Sequence, residues 1–221
     1  MIPIRVVPAL LVLAATAGAQ SSGVVDEASF TVTRDGAAYG TESFKIIRRL
    51  GAEGVEYVAQ CTRTMDGRIV KTSLTTDSTG SATSYSRMTT GGVAGQLTAR
   101  RALNRLTVSE DGTQGSTRDY VFPPGSVILD EDVIHQFYFV TRREPRSLGF
   151  VAPGGRAAAQ GALTEVGREN LVIGGTVVPA TRFAFGAGDA RREIWVDSGK
   201  RLLKVAWPAQ RTEGTRDLPP R

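Results

Sequence analysis

From Ala28 onward the chain alternates apolar and polar residues in short runs separated by brief turn signals. In "ASFTVTR", Phe30 and Val32 alternate with Ser29 and Thr31. Such alternation puts one row of side chains on a buried face and the other in water. The same punctuation recurs through "YGTESFKIIRRL", "VEYVAQCTRTM", "RIVKTSLTTD", "SATSYSRMTT", "VAGQLTARRA", "RLTVSED" and "STRDYVF", and later through "LTEVGRENLVI", "TVVPATRFAF", "REIWVD" and "RLLKVAW". Asp35-Gly36 and Asp66-Gly67 stand between two of these pairs, as tight antiparallel hairpins require. The pattern predicts a mainly β chain built of hairpins in a large antiparallel sheet. In "VEYVAQCTRTM" it places Tyr57, Ala59 and Cys61 on one face.

The last hairpin is the clearest. With Ser198-Gly199 as a two-residue loop, Glu193 falls opposite Lys204 and Ile194 opposite Leu203, a charge pair and an apolar pair. Beyond Trp207 the segment "PAQRTEGTRDLPPR" has Leu218 as its one large apolar residue, and it reads as a disordered tail.

One segment breaks the β pattern. "FPPGSVILDEDVIHQFYFVTRREP" opens on a turn, then places Asp130, Glu131 and Asp132 where a helix would start. Arg142 and Arg143 follow at its end, and Pro145 stops it. Acids at the start and bases at the end suit a helix dipole. Val133, Ile134, Phe137, Tyr138 and Thr141 recur at three- and four-residue spacings, so a helix is expected here.

The ends set the compartment. Arg5, the apolar run Val6–Ala17 and the small residues Ala17-Gly18-Ala19 read as a cleaved secretory signal over residues 1–19. The run is too short for a permanent membrane anchor. Residues 20–207 then form a single domain and 208–221 the tail. A net charge of +5 is modest and spread over many short arginine pairs, which read as solvated strand edges. With no interleaved aromatic motif, nucleic-acid binding is not expected. Cys61 is the sole cysteine, so no internal disulfide can form. A buried, inert thiol is expected.

Catalytic and metal signatures are weak. Asp130, Glu131, Asp132 and His135 lie within six residues, and on a helix either Asp132 or Glu131 could share a face with His135. His135 is the sole histidine, and two such ligands fall short of what zinc needs. The acids are therefore read as a cap, with His135 bonded to one of them or to a strand carbonyl. A serine triad would need that same His135, no Gly-x-Ser-x-Gly elbow occurs, and no glycine pair is followed by the Lys-Ser/Thr of a phosphate-binding loop. No catalytic residue, metal or cofactor is expected.

"VILDEDVIHQFYFV" after a Pro-Gly turn, followed by "REIWVDSGKRLLKVAWP", resembles a broad group of exported bacterial proteins. Their fold is similar to the periplasmic lipoprotein-carrier (LolA-like) half-barrel. The resemblance spans about Ala28 to Trp207. It implies a mainly β fold in which a large curved antiparallel sheet, a half-barrel, wraps one central helix, with an apolar cavity between. It carries over no catalytic residue. Ile134, Phe137, Tyr138 and Phe150 are then the expected lining of a pocket for a lipid-like or other apolar ligand. The expectation is a periplasmic or secreted, non-enzymatic binding protein that does not span the membrane once the signal is cleaved. Two alternatives stand beside it. One is a structural or assembly factor with a filled core that binds an envelope protein partner. The other is a hydrolase with an unrecognised carboxylate site.

Overall fold

The computed structural model describes residues 22–111, 115–130, 133–143, 147–153 and 158–220. The signal expected at 1–19 lies outside the described residues. The first half of the chain is an antiparallel meander. Its strands are β1 (Gly23–Arg34), β2 (Ala37–Gly51), β3 (Gly54–Met65), β4 (Arg68–Asp77), β5 (Ala82–Thr90), β6 (Gly95–Ala102), β7 (Arg105–Asp111) and β8 (Ser116–Val121). A short strand β9 (Val127–Ile128) and one helix, α1 (Phe137–Thr141), follow. The second meander is β10 (Ser147–Val151), β11 (Ala158–Ile173), β12 (Thr176–Phe185), β13 (Arg192–Val196), β14 (Leu202–Trp207) and β15 (Thr212–Arg216).

All these strands belong to one 15-stranded sheet, ordered β8 through β1, then β15 back through β9. The two meanders join where the first strand meets the last, with Phe30 opposite Arg216 and Arg34 opposite Thr212. Every pairing is antiparallel except β9 with β10. The ends of the sheet, β8 and β9, are consecutive in the chain, and Ala82 at the start of β5 donates its amide to the Ser126 carbonyl at 3.2 Å. The sheet therefore curls until its far end lies against β5.

Local chemistry explains the hairpins. Asp35 and Gly36 have φ of 52° and 77°, and Asp66 and Gly67 have 48° and 70°. Two consecutive positive φ values match the twist of the flanking strands, and Asp-Gly adopts them at little cost. In β12, Pro179 precedes Thr181, where pairing with β13 begins. Its missing N–H thus falls on the side that has no strand neighbour.

The inner face is apolar. Phe30, Val32, Phe44, Ile46, Ala59, Cys61, Leu74, Tyr85, Leu97 and Val108 form one core with side chains of the second meander. The chain between β8 and β10 adds buried side chains to the same core. Phe122, Val127–Leu129 and Ile134–Val140 are all buried there.

Four expectations change. The mainly β class and curved sheet stand, but the helical part of the central segment is only the five residues Phe137–Thr141, preceded by turns. Its first turn holds no acidic residue. Asp130 points elsewhere, and Glu131, Asp132 and Pro145 lie outside the described residues. The β-branched and aromatic residues that weaken helix propensity keep the helix short. In the last hairpin, Trp195 faces Lys204, Ile194 faces Val205 and Val196 faces Leu202. The loop is longer than two residues. The Asp197 amide donates to the Arg201 carbonyl at 3.1 Å, with Lys200 at φ 59°, which moves Glu193 opposite Ala206. Finally, the segment 208–221 reads as a disordered tail, but its described residues, 208–220, are ordered into structure. Residues 212–216 form β15, hydrogen-bonded on both sides. It is held by backbone pairing and not by apolar burial, so an apolar pattern could not announce it.

Candidate functional site

The central segment brings together polar side chains that alternation would leave on dry faces. Along β2, Glu42 shares the inner face with Phe44 and Ile46 and is 0% exposed. On β3, Cys61 and Arg63 occupy the same face as Ala59 and are buried. Phe44 lies opposite Cys61 and Glu42 opposite Arg63. His135, also 0% exposed, descends from the segment before α1. Its ring stacks on Phe44 with centroids 5.9 Å apart.

Glu42 is the hub. Its Oε2 accepts the Ile134 amide at 2.9 Å. Its Oε1 accepts the His135 amide at 2.8 Å and faces His135 Nδ1 at 3.1 Å. A buried segment must satisfy its backbone amides, and here a distant strand carboxylate does so. Of the acids expected at the helix start, Asp130 does not serve it; the carboxylate that meets the segment's amides comes from β2. The sequence predicts His135 bonded to one of the nearby acids or to a strand carbonyl; its ring nitrogen instead meets Glu42, more than ninety positions away in sequence. Asp130 instead accepts hydrogen bonds from the Tyr85 hydroxyl and from Arg87 Nη1 at 2.8 Å. Its own amide donates to Gln136 Oε1 at 2.6 Å.

Burial alone would raise the Glu42 pKa. The hydrogen bond and charge of His135, the Arg63 charge and the Ile134 amide outweigh it and hold the carboxyl below its ordinary value. The Cys61 thiol goes the other way: burial pushes it far up, and the Glu42 charge adds to the rise. The thiol therefore stays protonated and is not a nucleophile at neutral pH.

Glu42, Cys61 and His135 place one ligand atom each within 4.8 Å of one another. This trio, not the Asp130–His135 segment, is the metal-ligand group that the fold assembles among the described residues. Its carboxylate is already engaged by two amides and an imidazole, and the Arg63 charge acts on it. The cluster fits an internal anchor for the central segment better than it fits a cation. The alternation Glu42–Phe44–Ile46 and Ala59–Cys61–Arg63 was the available signal, since it sets a carboxylate and a guanidinium on inner faces.

The four expected lining residues each have neighbours within the core. Ile134 packs against Gly214, where a methyl would collide with its side chain. Phe137 meets Phe185 and Trp207 edge-on, each at 6.3 Å. Phe150, partly buried, tilts against Phe185 at 5.6 Å. Phe185 thus joins Phe137 and Phe150, whereas Tyr138 lies apart against Phe139 with the Arg142 guanidinium over its ring at 4.2 Å. A cavity of about 520 Å³ lies elsewhere, between the start of β1 and the chain after β15. Val24, Val25, Ala28, Leu218 and Pro219 supply its apolar wall. At its margin Arg216 Nη2 donates to Asp26 Oδ1 at 2.9 Å, a pair that is 5% exposed on each side.

No family model matches the chain, and no curated protein matches it. Among solved structures it is similar to a β-barrel-like protein of a domain of unknown function, DUF1849, from Brucella abortus. The two share 10% identity over 86% of this chain and 94% of that one, with a TM-score of 0.49.

Proposed function

We propose that the protein is an exported, non-enzymatic binding factor of the cell envelope that acts on a partner protein through its outer surface. In this reading the chain between β8 and β10 occupies the core, in place of the apolar cavity that the lipoprotein-carrier resemblance implies. The observation that carries this reading is the central segment. Residues 127–130 and 133–141 are buried against the sheet, and their amides are met from within by Glu42 and Gln136. A polar latch of this kind holds a plug in place and favours a filled core over an open acyl-chain pocket. His135 is sealed from solvent, and burial keeps the Cys61 thiol protonated, which supports a protein without catalysis.

The second reading, a carrier of a lipid-like ligand, is favoured by the cavity beside β1 and the tail. Its size lies within the range of small-molecule sites. Native mass spectrometry of the mature protein from its own envelope fraction separates the two. The filled-core reading expects an apo mass, no uptake of an apolar fluorescent probe, and a co-purifying protein after mild crosslinking. A stoichiometric lipid would overturn it in favour of the carrier.

A further inference from the structure

The antiparallel meanders send their turns alternately to two ends of the sheet. One end carries the start of β1, the β2–β3, β4–β5 and β6–β7 turns, the β13–β14 loop, the tip of the β11–β12 hairpin and the chain after β15. Large apolar side chains that the fold leaves in water gather at this end. Val24, Leu50, Val172, Val177 and Leu218 lie here, together with Leu103 and Val121, and all are between 52% and 92% exposed. The opposite end has Ile69, Met88 and Val93. Scattered exposed apolar residues need no explanation, but their gathering on one end of a fold does.

Register and contacts set several of them side by side. Val172 pairs with Val177 across the hairpin. The place where a Cβ would stand on Gly174, at that hairpin's tip, lies 3.3 Å from the Leu218 side chain. Leu218 and Val24 line one cavity. Gly23, next to Val24, pairs with Arg48, two residues before Leu50. Val121 pairs with Arg105, which follows the turn that carries Leu103. The charges at this end favour cations. Lys45 faces Glu27, Arg49 pairs with Glu56, Arg101 with Asp77, Arg105 with Asp119, Arg201 with Asp197 and Arg216 with Asp26. Among the described residues here, that leaves Arg48, Arg100, Arg142, Arg143 and Lys200 against Glu53 and Asp217. Arg142 Nη2 donates to the Gly199 carbonyl at 2.8 Å, which brings it to the loop that carries Lys200.

We propose that this end of the sheet docks on an anionic lipid surface, with the apolar tips set into the headgroup layer and the surplus cations against the lipid charges. Charge complementarity commits the face to that occupant. Binding at a lipid interface grows with the apolar area buried and with attraction to anionic lipids, and this end offers both. Apolar side chains carried on separate hairpin tips, with cations between them, suit a fluid layer that closes round each one. A protein interface centres instead on a contiguous apolar core depleted of charge. The inference goes beyond the proposed binding of a partner protein and does not depend on how the core is occupied.

The test is flotation of the mature protein with vesicles of phosphatidylcholine, alone or mixed with phosphatidylglycerol. Flotation with the mixed vesicles is expected, weakening as salt rises, with little on phosphatidylcholine alone. Leu50→Asp combined with Val177→Asp should weaken it roughly tenfold or more, since two apolar anchors are lost and two anions gained. Both side chains are exposed, so an unchanged urea midpoint verifies that the double variant folds. Arg48→Gln and Lys200→Gln should each weaken it about fivefold. Val93→Asp, at the opposite end, should leave it unchanged. No flotation by the unaltered protein, equal flotation on phosphatidylcholine alone, or equal loss in Val93→Asp would each overturn the proposal. A folded Leu50→Asp, Val177→Asp double variant that floats undiminished would overturn it too. If that variant also loses a crosslink to an envelope protein, the face belongs to a protein partner instead.

Discussion

A carboxylate in an apolar core is stable only where donors meet its oxygens. Glu42 has two amides and an imidazole, so Glu42→Gln would leave at least one buried donor facing an amide group. A loss of about 3 kcal/mol is expected from the cost of breaking a buried charged network, read as a lower urea midpoint with unchanged slope. The pH dependence follows from the lowered pKa. The stabilisation is complete above the ordinary carboxyl value of 4.5 and fades as pH falls through the lower folded-state value. The acid limb of the stability curve should therefore be shallower in Glu42→Gln. A thiol reagent provides a second check. Cys61 should label only at the rate of global opening in the folded protein, and faster in the Glu42 variant. Rapid labelling of the folded protein would mean that the thiol is accessible. At this scale the strand pattern of the sequence anticipated the burial of Cys61. It did not pair His135 with Glu42, because the alternation that sets Glu42 on the inner face with Phe44 and Ile46 does not say which distant element meets it.

Strands that carry alternation and Asp-Gly turns were legible almost to the residue, as in β4, β7 and β12. β15 was not, because "TEGTR" buries Thr212, Gly214 and Arg216 in place of apolar side chains. Gly214 is small because Ile134 occupies the space above it, and Gly214→Val should destabilise by a few kcal/mol through forced overpacking, about 1–3 on general experience. Arg216 is buried because all its donors are used. Nε donates to the Leu218 carbonyl at 3.2 Å, Nη1 to Asp26 and the Leu202 carbonyl each at 3.2 Å, and Nη2 to Asp26 and the Glu27 carbonyl each at 2.9 Å. Asp26→Asn keeps the shape and removes the counter-charge, leaving a guanidinium that cannot lose its proton. The expected loss is about 3–5 kcal/mol, measured by thermal and urea unfolding. A variant as stable as the parent would mean that the pair contributes nothing. The last hairpin erred in register for a different reason: Asp197 turns the chain back by accepting the Arg201 amide at 2.8 Å, so the loop outgrows Ser198-Gly199.

At the scale of the whole molecule, the pairing of the first strand with the last decides cooperativity. Each meander is local in sequence, but β1–β15 joins residues almost the full domain apart, and loop closure makes such contacts late and costly in folding. The central segment crosses the same seam, since Glu42 on β2 holds Ile134, which in turn packs on Gly214 of β15. Removing residues 208–221 would have been harmless to a protein with a disordered tail. Here it strips β15 from between β1 and β14 and bares two long edges with unpaired amides, the arrangement that promotes edge-to-edge association. It also removes the ion-pair partner of Asp26 and the surface beneath Ile134. The truncated chain should therefore be insoluble or molten, with lost near-ultraviolet dichroism and rapid proteolysis, whereas trimming only from Leu218 onward spares all of β15 and should cost little beyond the Leu218 carbonyl contact. Adding the peptide 208–221 in trans at high concentration should restore part of the fold, because the missing element is a strand with two waiting edges. A truncation at Trp207 that stays monomeric and cooperative would show that the seam is dispensable and that each meander stands alone.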